Sequence, residues 1–296
     1  MSGSGKTIVV FGATGHQGGS TARALLGAGY TVVGITRDPT SPKAKSAESH
    51  GVKLYKGDLN FPETYAPALQ GAYGVFLNID FWALFDGVDP LAAKAKEEAQ
   101  GLAAVTAIKA AGVKHLVYST LDSLGDVAHF DSKATIAGYV RESGVPYTLL
   151  YTSYYYSNIL FNMLKEEDGA LILDMGVPDE VIVPSFAVEQ TGLWAVQAFK
   201  PEWVGKDMDV VGECMAISAI ATGVSLVTGR KCETRHVTMA EFEADTKTDR
   251  GWHNNFKAMI DKRFSRSESE SRKVVPDAWT FIQWAKMTGA LDKYRK

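Results

Sequence analysis

Residues 11–20 read FGATGHQGGS, and the fold turns on how this stretch is placed. Before it runs the β-branched, apolar segment Thr7–Phe11. After it, Ser20–Ala28 sets Ala22, Leu25 and Leu26 on one helical face. Gly12, Gly15 and Gly18 stand three apart between these two patterns. In a chain with 28 glycines the spacing alone is weak, but a strand before it and a helix after it make it specific. In that setting Gly12 permits a tight turn, Gly15 lets the backbone approach a pyrophosphate, and Gly18 lets helix and strand pack closely. The anion then sits at the helix N-terminus. Ala13, Thr14, His16 and Gln17 complete the same cradle. The turn is expected to hold a dinucleotide; a glycine-rich turn without a ligand is the plainer alternative.

Working outward, further strands are expected at Thr31–Thr36, Lys53–Lys56, Ala72–Leu77, His115–Ser119 and Tyr147–Tyr151. Helical patterns lie between them at Lys43–His50, Pro62–Leu69, Pro90–Ala111 and Lys133–Ser143. Strands alternating with helices predict an α/β fold, a Rossmann-type doubly wound parallel sheet covered on both faces. After residue 152 the rhythm changes. Tyr151–Tyr156 reads as an aromatic-rich turn, Ser157–Lys165 as helical, and Ile182–Val183 and Met208–Val211 as short strands. Helical patterns follow at Met215–Thr228, Met239–Asp245, Gly251–Phe264 and Pro276–Met287. The charged run Ser265–Lys273 reads as a surface loop or mobile connector. The expected division is an NAD(P)-binding domain over residues 1–152, joined by a later strand and helix from about 180–203, and a smaller, interleaved α/β lobe over 153–296.

Composition narrows the function. The 296 residues carry 31 Lys and Arg against 34 Asp and Glu, a formal net charge of −3. That argues against direct nucleic-acid binding, which needs many phosphates neutralised. Hydrophobic residues at 46% and charged residues at 22% describe a globular chain. Cys214 and Cys232 suffice neither for a zinc site nor for a disulfide framework, so no metal is expected. The N-terminal MSGSGKTIVVFG lacks the form of a signal peptide, and nowhere do about 18 apolar residues run together. A soluble protein of the cytoplasm, or nucleus, with no membrane partner is expected, as monomer or homodimer. Ser4-Gly5-Lys6-Thr7 copies the end of a P-loop, but only five residues precede Lys6 and a strand follows, so kinase or ATPase chemistry is not expected.

The strand tips supply the remaining candidates. Thr36-Arg37-Asp38 ends the second strand, where a carboxylate suits the ribose 2′-hydroxyl of NAD and an Arg suits the 2′-phosphate of NADP. Arg37 lies nearer the tip, with Lys43 and Lys45 close in sequence, which favours NADP(H); an ordinary surface Arg is the alternative. In Gly57-Asp58-Leu59, Asp58 either accepts from an adenine amino group or caps a helix. Asn78, Phe81 and Trp82 follow the fourth strand, where the two aromatic rings either flank a flat ring or pack in the core. Ser119 and Thr120, at the fifth strand's tip, are hydroxyl partners for a substrate carbonyl or plain strand-end caps.

The GATGHQGG turn, the TRDP after the second strand, the GD after the third, the HFDSK segment and Tyr156-Ser157-Asn158 together resemble the NmrA-like family. That family is an atypical branch of the short-chain dehydrogenase/reductases, and the likeness is strongest over residues 7–160. The resemblance implies NADP binding; some members are transcriptional co-regulators or redox sensors, and relatives are reductases. The superfamily pairs a Tyr with a Lys four positions on, and here His129 stands in the Tyr position with Lys133 retained. By this resemblance Lys133 binds the nicotinamide ribose. His129 is the candidate proton donor, with an unperturbed pKa near ~6.5. Tyr155, Tyr156, Ser157 and Asn158 belong to a loop that the family sets against the cofactor, and Tyr154, Tyr155 and Trp82 would line the substrate. Two departures stand out. Ala99 precedes Gln100-Gly101 where sensor-type relatives carry Lys, with Lys96 one turn earlier, and the tyrosine-rich Tyr151–Tyr156 replaces an Arg-x-Pro pattern. Two functions remain: an NADPH-dependent oxidoreductase of a small carbonyl or conjugated (quinone- or enone-like) substrate, and a non-catalytic NADP(H)-sensing redox regulator acting through protein–protein contact. The reading leans to the enzyme.

Overall fold

Ile8, Val9, Val10 and Phe11 are apolar, mostly β-branched and almost wholly buried, which suits a central strand covered on both faces. They belong to β1 (Thr7–Phe11) of a computed structural model that describes residues 5–245 and 250–295; Ser4 of the P-loop-like tetrapeptide and Met1–Gly3 lie outside these. The chain continues through α1 (His16–Gly27), β2 (Thr31–Thr36), α2 (Pro42–Ser49), β3 (Lys53–Lys56), α3 (Pro62–Leu69), β4 (Gly74–Leu77), α4 (Pro90–Ala110), β5 (His115–Thr120), α5 (Ala128–Glu142) and β6 (Tyr147–Thr152). There follow β7 (Tyr154–Tyr155), β8 (Leu164–Glu167), β9 (Ala170–Leu173), β10 (Ile182–Phe186), α6 (Thr191–Ala198) and β11 (Lys206–Val210). The last elements are β12 (Glu213–Ala216), α7 (Ile217–Thr228), β13 (Cys232–Thr234), α8 (Met239–Ala244), α9 (Arg250–Ile260), α10 (Glu268–Val274) and α11 (Phe281–Thr288).

A seven-stranded sheet runs in the order β11-β6-β5-β4-β1-β2-β3, with β1 parallel to both β2 and β4 and pairs such as Val9↔Val33 and Val9↔Val75 in register. The expected α/β Rossmann-type sheet is present. Strand order reverses between β1 and β4, so the crevice past their carboxyl ends is the switch point where such sheets seat ligands. Val9, Phe11, Val75, Leu77, Leu116 and Tyr118 meet Tyr65 and Leu69 of α3, Ala104 and Ile108 of α4, and Ile136 and Val140 of α5 in one core. Gly101 allows α4 to approach α5: a Cβ there would stand 2.4 Å from Ile136.

The chain divides into two compact units. One comprises residues up to Thr152 with Glu189–Met208; the other comprises Ser153–Val188 and Asp209 onward. The segment returning to the first unit carries α6, while β10 stays with the second. The second unit holds two three-stranded sheets, β12-β10-β7 and β13-β9-β8. Its core is rich in aromatic rings, including Tyr154, Tyr156, Phe256, Phe281 and Trp284.

Several local expectations need correction. The helix after the glycine turn begins at His16 rather than Ser20, and α5 begins at Ala128, so His129 lies in its first turn. Ser157–Lys165 is a 3₁₀ turn (Tyr156–Leu160) followed by β8, in which buried Leu164 precedes three exposed charged residues, a composition that suits an edge strand. The Met215–Thr228 pattern splits into the end of β12 and α7. Ser265–Lys273 is no loose connector. Ser267 caps α10, its first turn carries Glu268 and Glu270, and its last carries Arg272 and Lys273, matching the helix dipole. Ser271 is buried and its Oγ accepts from Val211 N. Among the described residues no helix is long and apolar enough to cross a membrane.

Candidate functional site

At the end of β1, Gly12 takes φ +69°, and Gly15 N donates to Gly12 O at 2.8 Å, closing the turn. A Cβ on Gly18 would stand 2.2 Å from Gly12 O and 2.4 Å from its carbonyl carbon, so strand and helix touch backbone to backbone and only glycine fits. The consequence lies at the start of α1. Its N-cap is Gly15, no side chain caps it, and its first turn has no acidic residue. The orphan N–H groups and the positive end of the dipole are left for an anion. Gly12, Gly15 and His16 are exposed, whereas Ala13 and Gln17 are buried and Thr14 is half-buried. Gln17 is held by Ser119, whose Oγ donates to Gln17 Oε1 at 2.7 Å, and Asn78 flanks Gly12.

Past β2, Arg37 is exposed and forms no ion pair among the described residues. Asp38 is occupied differently. Its Oδ1 accepts from Thr40 N at 2.8 Å and Thr40 Oγ1 at 2.6 Å, and these bonds hold its carboxyl below the usual range. Lys45 is paired with Glu48 at 3.1 Å, while Lys43 is exposed. After β3, Asp58 Oδ1 accepts from Asn60 N and Asn60 Nδ2. The N-cap of α3 is Phe61, so Asp58 shapes the turn and is not the cap residue. Leu59 beside it is half-buried.

Lys133 occupies a more elaborate setting than its neighbours in sequence suggest. Its Nζ donates to Ile79 O at 2.8 Å and to Glu97 Oε1 at 2.5 Å. The other Glu97 oxygen accepts from Ser132 Oγ, and Glu97 is wholly buried. Thr120 Oγ1 donates to Lys133 O at 3.0 Å. Ser119 and Thr120 are thus buried, each with its hydroxyl proton donated within the protein. Asp131 braces the start of α5, accepting from Leu124 N and Gly125 N at 2.7 Å each and from Val127 N.

Glu97 escaped the sequence reading, yet a signal existed. Ala93, Glu97, Gln100, Gly101 and Ala104 follow helical spacing along the buried face of α4, and a carboxylate in such a row needs a partner. Lys96, beside it, faces water.

His129 sits half-buried among rings, with centroids 5.1 Å from Trp82, 5.8 Å from Phe81 and 5.0 Å from Phe130. Phe81 is buried and serves the core, whereas Trp82 is 59% exposed and presents an open face. Gly12–Gly18, Asn78, Ser119, Thr120, Lys133 and Glu97 are therefore gathered around one sheet edge in the first unit.

From Ser153 on, the tyrosine-rich segment belongs to the second unit, and Tyr154 and Tyr156 are part of its core. Tyr154 is buried, donates to Met163 Sδ at 3.2 Å and packs near Phe256. Tyr156 is 2% exposed and donates to Trp279 O at 3.2 Å. Burial drives both hydroxyls well above the usual tyrosine range. Both rings lie inside the core, although Tyr154 was expected to line the substrate and Tyr156 to face the cofactor. Tyr155, Ser157 and Asn158 remain half-buried.

The chain is 32% identical over 205 residues to an NmrA-like family domain-containing oxidoreductase of Penicillium ochrochloron, a match covering 64% of this chain and 57% of that protein. This chain thus spans less than two thirds of that relative's length. It is 29% identical over 245 residues to the NAD(P)H azoreductase of Xenophilus azovorans, covering 79% and 78% of the two chains. Among solved structures, NmrA, a negative transcriptional regulator crystallised with NADP, superimposes with a TM-score of 0.80 at 21% identity over 95% and 94% of the two chains, a likeness of fold. Residues 4–270 match the model of the NmrA-like family, and to that family this chain belongs.

Proposed function

We propose that this protein is an NADP(H)-dependent oxidoreductase acting on a small carbonyl or conjugated, quinone- or enone-like compound. The observation that carries the reading is the start of α1, uncapped, free of acidic residues and held by a turn that a Cβ at Gly18 would obstruct. A dinucleotide's diphosphate fits such a cradle by charge and by backbone donors. Exposed Arg37 suits a 2′-phosphate, whereas one Asp38 oxygen is already taken by the Thr40 turn, which weakens the case for a ribose-binding carboxylate. The two curated relatives support the same class, one named as an oxidoreductase and the other as an NAD(P)H azoreductase.

When bound, NADPH supplies the hydride. Lys133 would hold the nicotinamide ribose with the one ammonium proton not used by Ile79 and Glu97. Trp82 offers a planar apolar surface that matches conjugated substrates. His129, against that ring, would hold and release a proton; an imidazolium is a stronger acid than the phenol it replaces. One observation favours the regulator reading, namely that position 129 carries no phenol.

NADPH consumption on a panel of quinones, enones and aldehydes tests the reading. Turnover is expected on at least one member, lost by about 100-fold in Lys133→Ala, with rates that fall from pH 6 to 8 and depend on His129. A flat profile with an active His129→Ala variant assigns the proton elsewhere. Tight NADPH binding without turnover on any member supports the regulator, whose partner capture should then change with NADPH.

A further inference from the structure

Lys133 is an ammonium with three protons. Ile79 O takes one at 2.8 Å and Glu97 Oε1 a second at 2.5 Å, which leaves one proton with a fixed direction. The carboxylate that fixes it is itself locked. Glu97 is 0% exposed, its second oxygen accepts from Ser132 Oγ, and α4 and α5 are drawn together by Gly101 against Ile136. Ser132 precedes Lys133 on the same helix, so Glu97 grips two successive residues of α5. The neighbouring Tyr118 hydroxyl is driven far above its usual range by burial and by Glu97, so it stays neutral. Lys133 is the group that forms an ion pair with Glu97 among the described residues. A lysine at a cofactor site needs only its charge to attract a ligand; a buried, doubly bonded carboxylate behind it adds direction.

We infer that Glu97 is a positioning residue for the reaction, holding Lys133 in the one rotamer that presents its remaining proton to the nicotinamide ribose, with Ser132 locking Glu97 in turn. This rests on the dinucleotide reading above. The role concerns the nicotinamide half of the cofactor alone, and that separates it from a general structural role. A fragment carrying only the adenosine half should not sense it.

The test compares binding of NADPH and of adenosine 2′,5′-bisphosphate by calorimetry in wild type, Glu97→Gln, Lys133→Met and the double variant. Glu97→Gln should weaken NADPH about tenfold and lower kcat about 100-fold, while bisphosphate affinity stays within about twofold. In the Lys133→Met background the second change should add nothing, because the residue it positions is gone. Equal losses for NADPH and bisphosphate, unchanged NADPH binding and kcat in Glu97→Gln, or fully additive losses in the double variant would overturn the inference. If Glu97→Gln does not fold, Ser132→Ala decides: a smaller loss confined to NADPH supports the role and an unchanged protein overturns it. Wild type that binds neither ligand would instead remove the dinucleotide reading itself, whereas normal wild-type binding with an indifferent Glu97→Gln removes only the positioning role.

Discussion

The turn Gly12–Gly18 in the first unit and the segment Tyr154–Asn158 in the second both follow a strand, and both carry residue types that ligands favour. In the first, side chains are withheld: Gly12 and Gly15 are exposed backbone, and α1 starts without a capping side chain. In the second, side chains are spent on the fold: Tyr154 and Tyr156 are buried with hydroxyls bonded to Met163 Sδ and Trp279 O. A ligand cradle is marked by a glycine turn and a helix start that no side chain caps, and an abundance of hydrogen-bonding rings does not by itself mark one. Aromatic residues bury 150–250 Å² each as a rule, so a cluster of them settles first into a core.

The contrast can be broken most sharply at Gly18. Gly18→Ala places a methyl 2.2 Å from Gly12 O, a backbone atom that cannot swing away. The expected cost is about 3 kcal/mol of stability, with NADPH affinity lost by at least about 100-fold. A variant with wild-type melting and wild-type titration would show that the crossover is looser than its geometry implies.

A second test separates the units by acid. Burial holds His115 of β5, hydrogen-bonded to Thr148, down to about 4 from its ordinary 6.5. The unfolded chain therefore binds the proton first. The stabilisation is complete above pH 6.5 and is lost as pH falls toward 4, about 2 kcal/mol of it between pH 7 and 5. In the second unit burial raises the Glu213 carboxyl, so its contribution is greatest in acid and fades as pH rises through the raised value. Urea midpoints at pH 7 and 5 should drop in wild type and drop much less in His115→Leu. Identical slopes in the two proteins would detach acid sensitivity from the first unit's sheet.

The smallest effect is expected at Tyr156. Tyr156→Phe removes the bond to Trp279 O and should cost about 1 kcal/mol, with NADPH affinity unchanged within about twofold. A tenfold loss of affinity at unchanged stability would return this segment to the cofactor site.

The same contrast explains what could be read from the amino acids. Strands β1 and β2 announced themselves through β-branched runs and β4 to β6 through buried, largely apolar stretches, as a parallel sheet covered on both faces demands. Edge strand β3 (Lys53–Lys56), by contrast, is partly exposed and has no β-branched residue. In the second unit the strands are only two to five residues long, and Leu164–Glu167 and Cys232–Thr234 mix charged with apolar positions, so these two and the short apolar Ala170–Leu173 were not read as strands. At the site, the glycine turn could be read from local spacing, while Lys133 was singled out only through the family resemblance. Glu97 was not legible, since its meaning depends on α4 lying beside α5, 36 residues away from Lys133. Ser119 was legible as a polar strand end, but its partner Gln17 lies 102 residues back, and only folding reveals that its hydroxyl supports the glycine turn.

The central claim is that the first crossover seats a dinucleotide diphosphate while Arg37 grips a 2′-phosphate. Titration of NADPH and NADH into wild type and Arg37→Asp addresses it most directly. The account predicts that wild type prefers NADPH and that the substitution weakens NADPH by about 100-fold while NADH changes by no more than about threefold. Equal losses for both coenzymes would contradict the assignment of Arg37, and wild-type protein with no measurable affinity for either would contradict the claim as a whole.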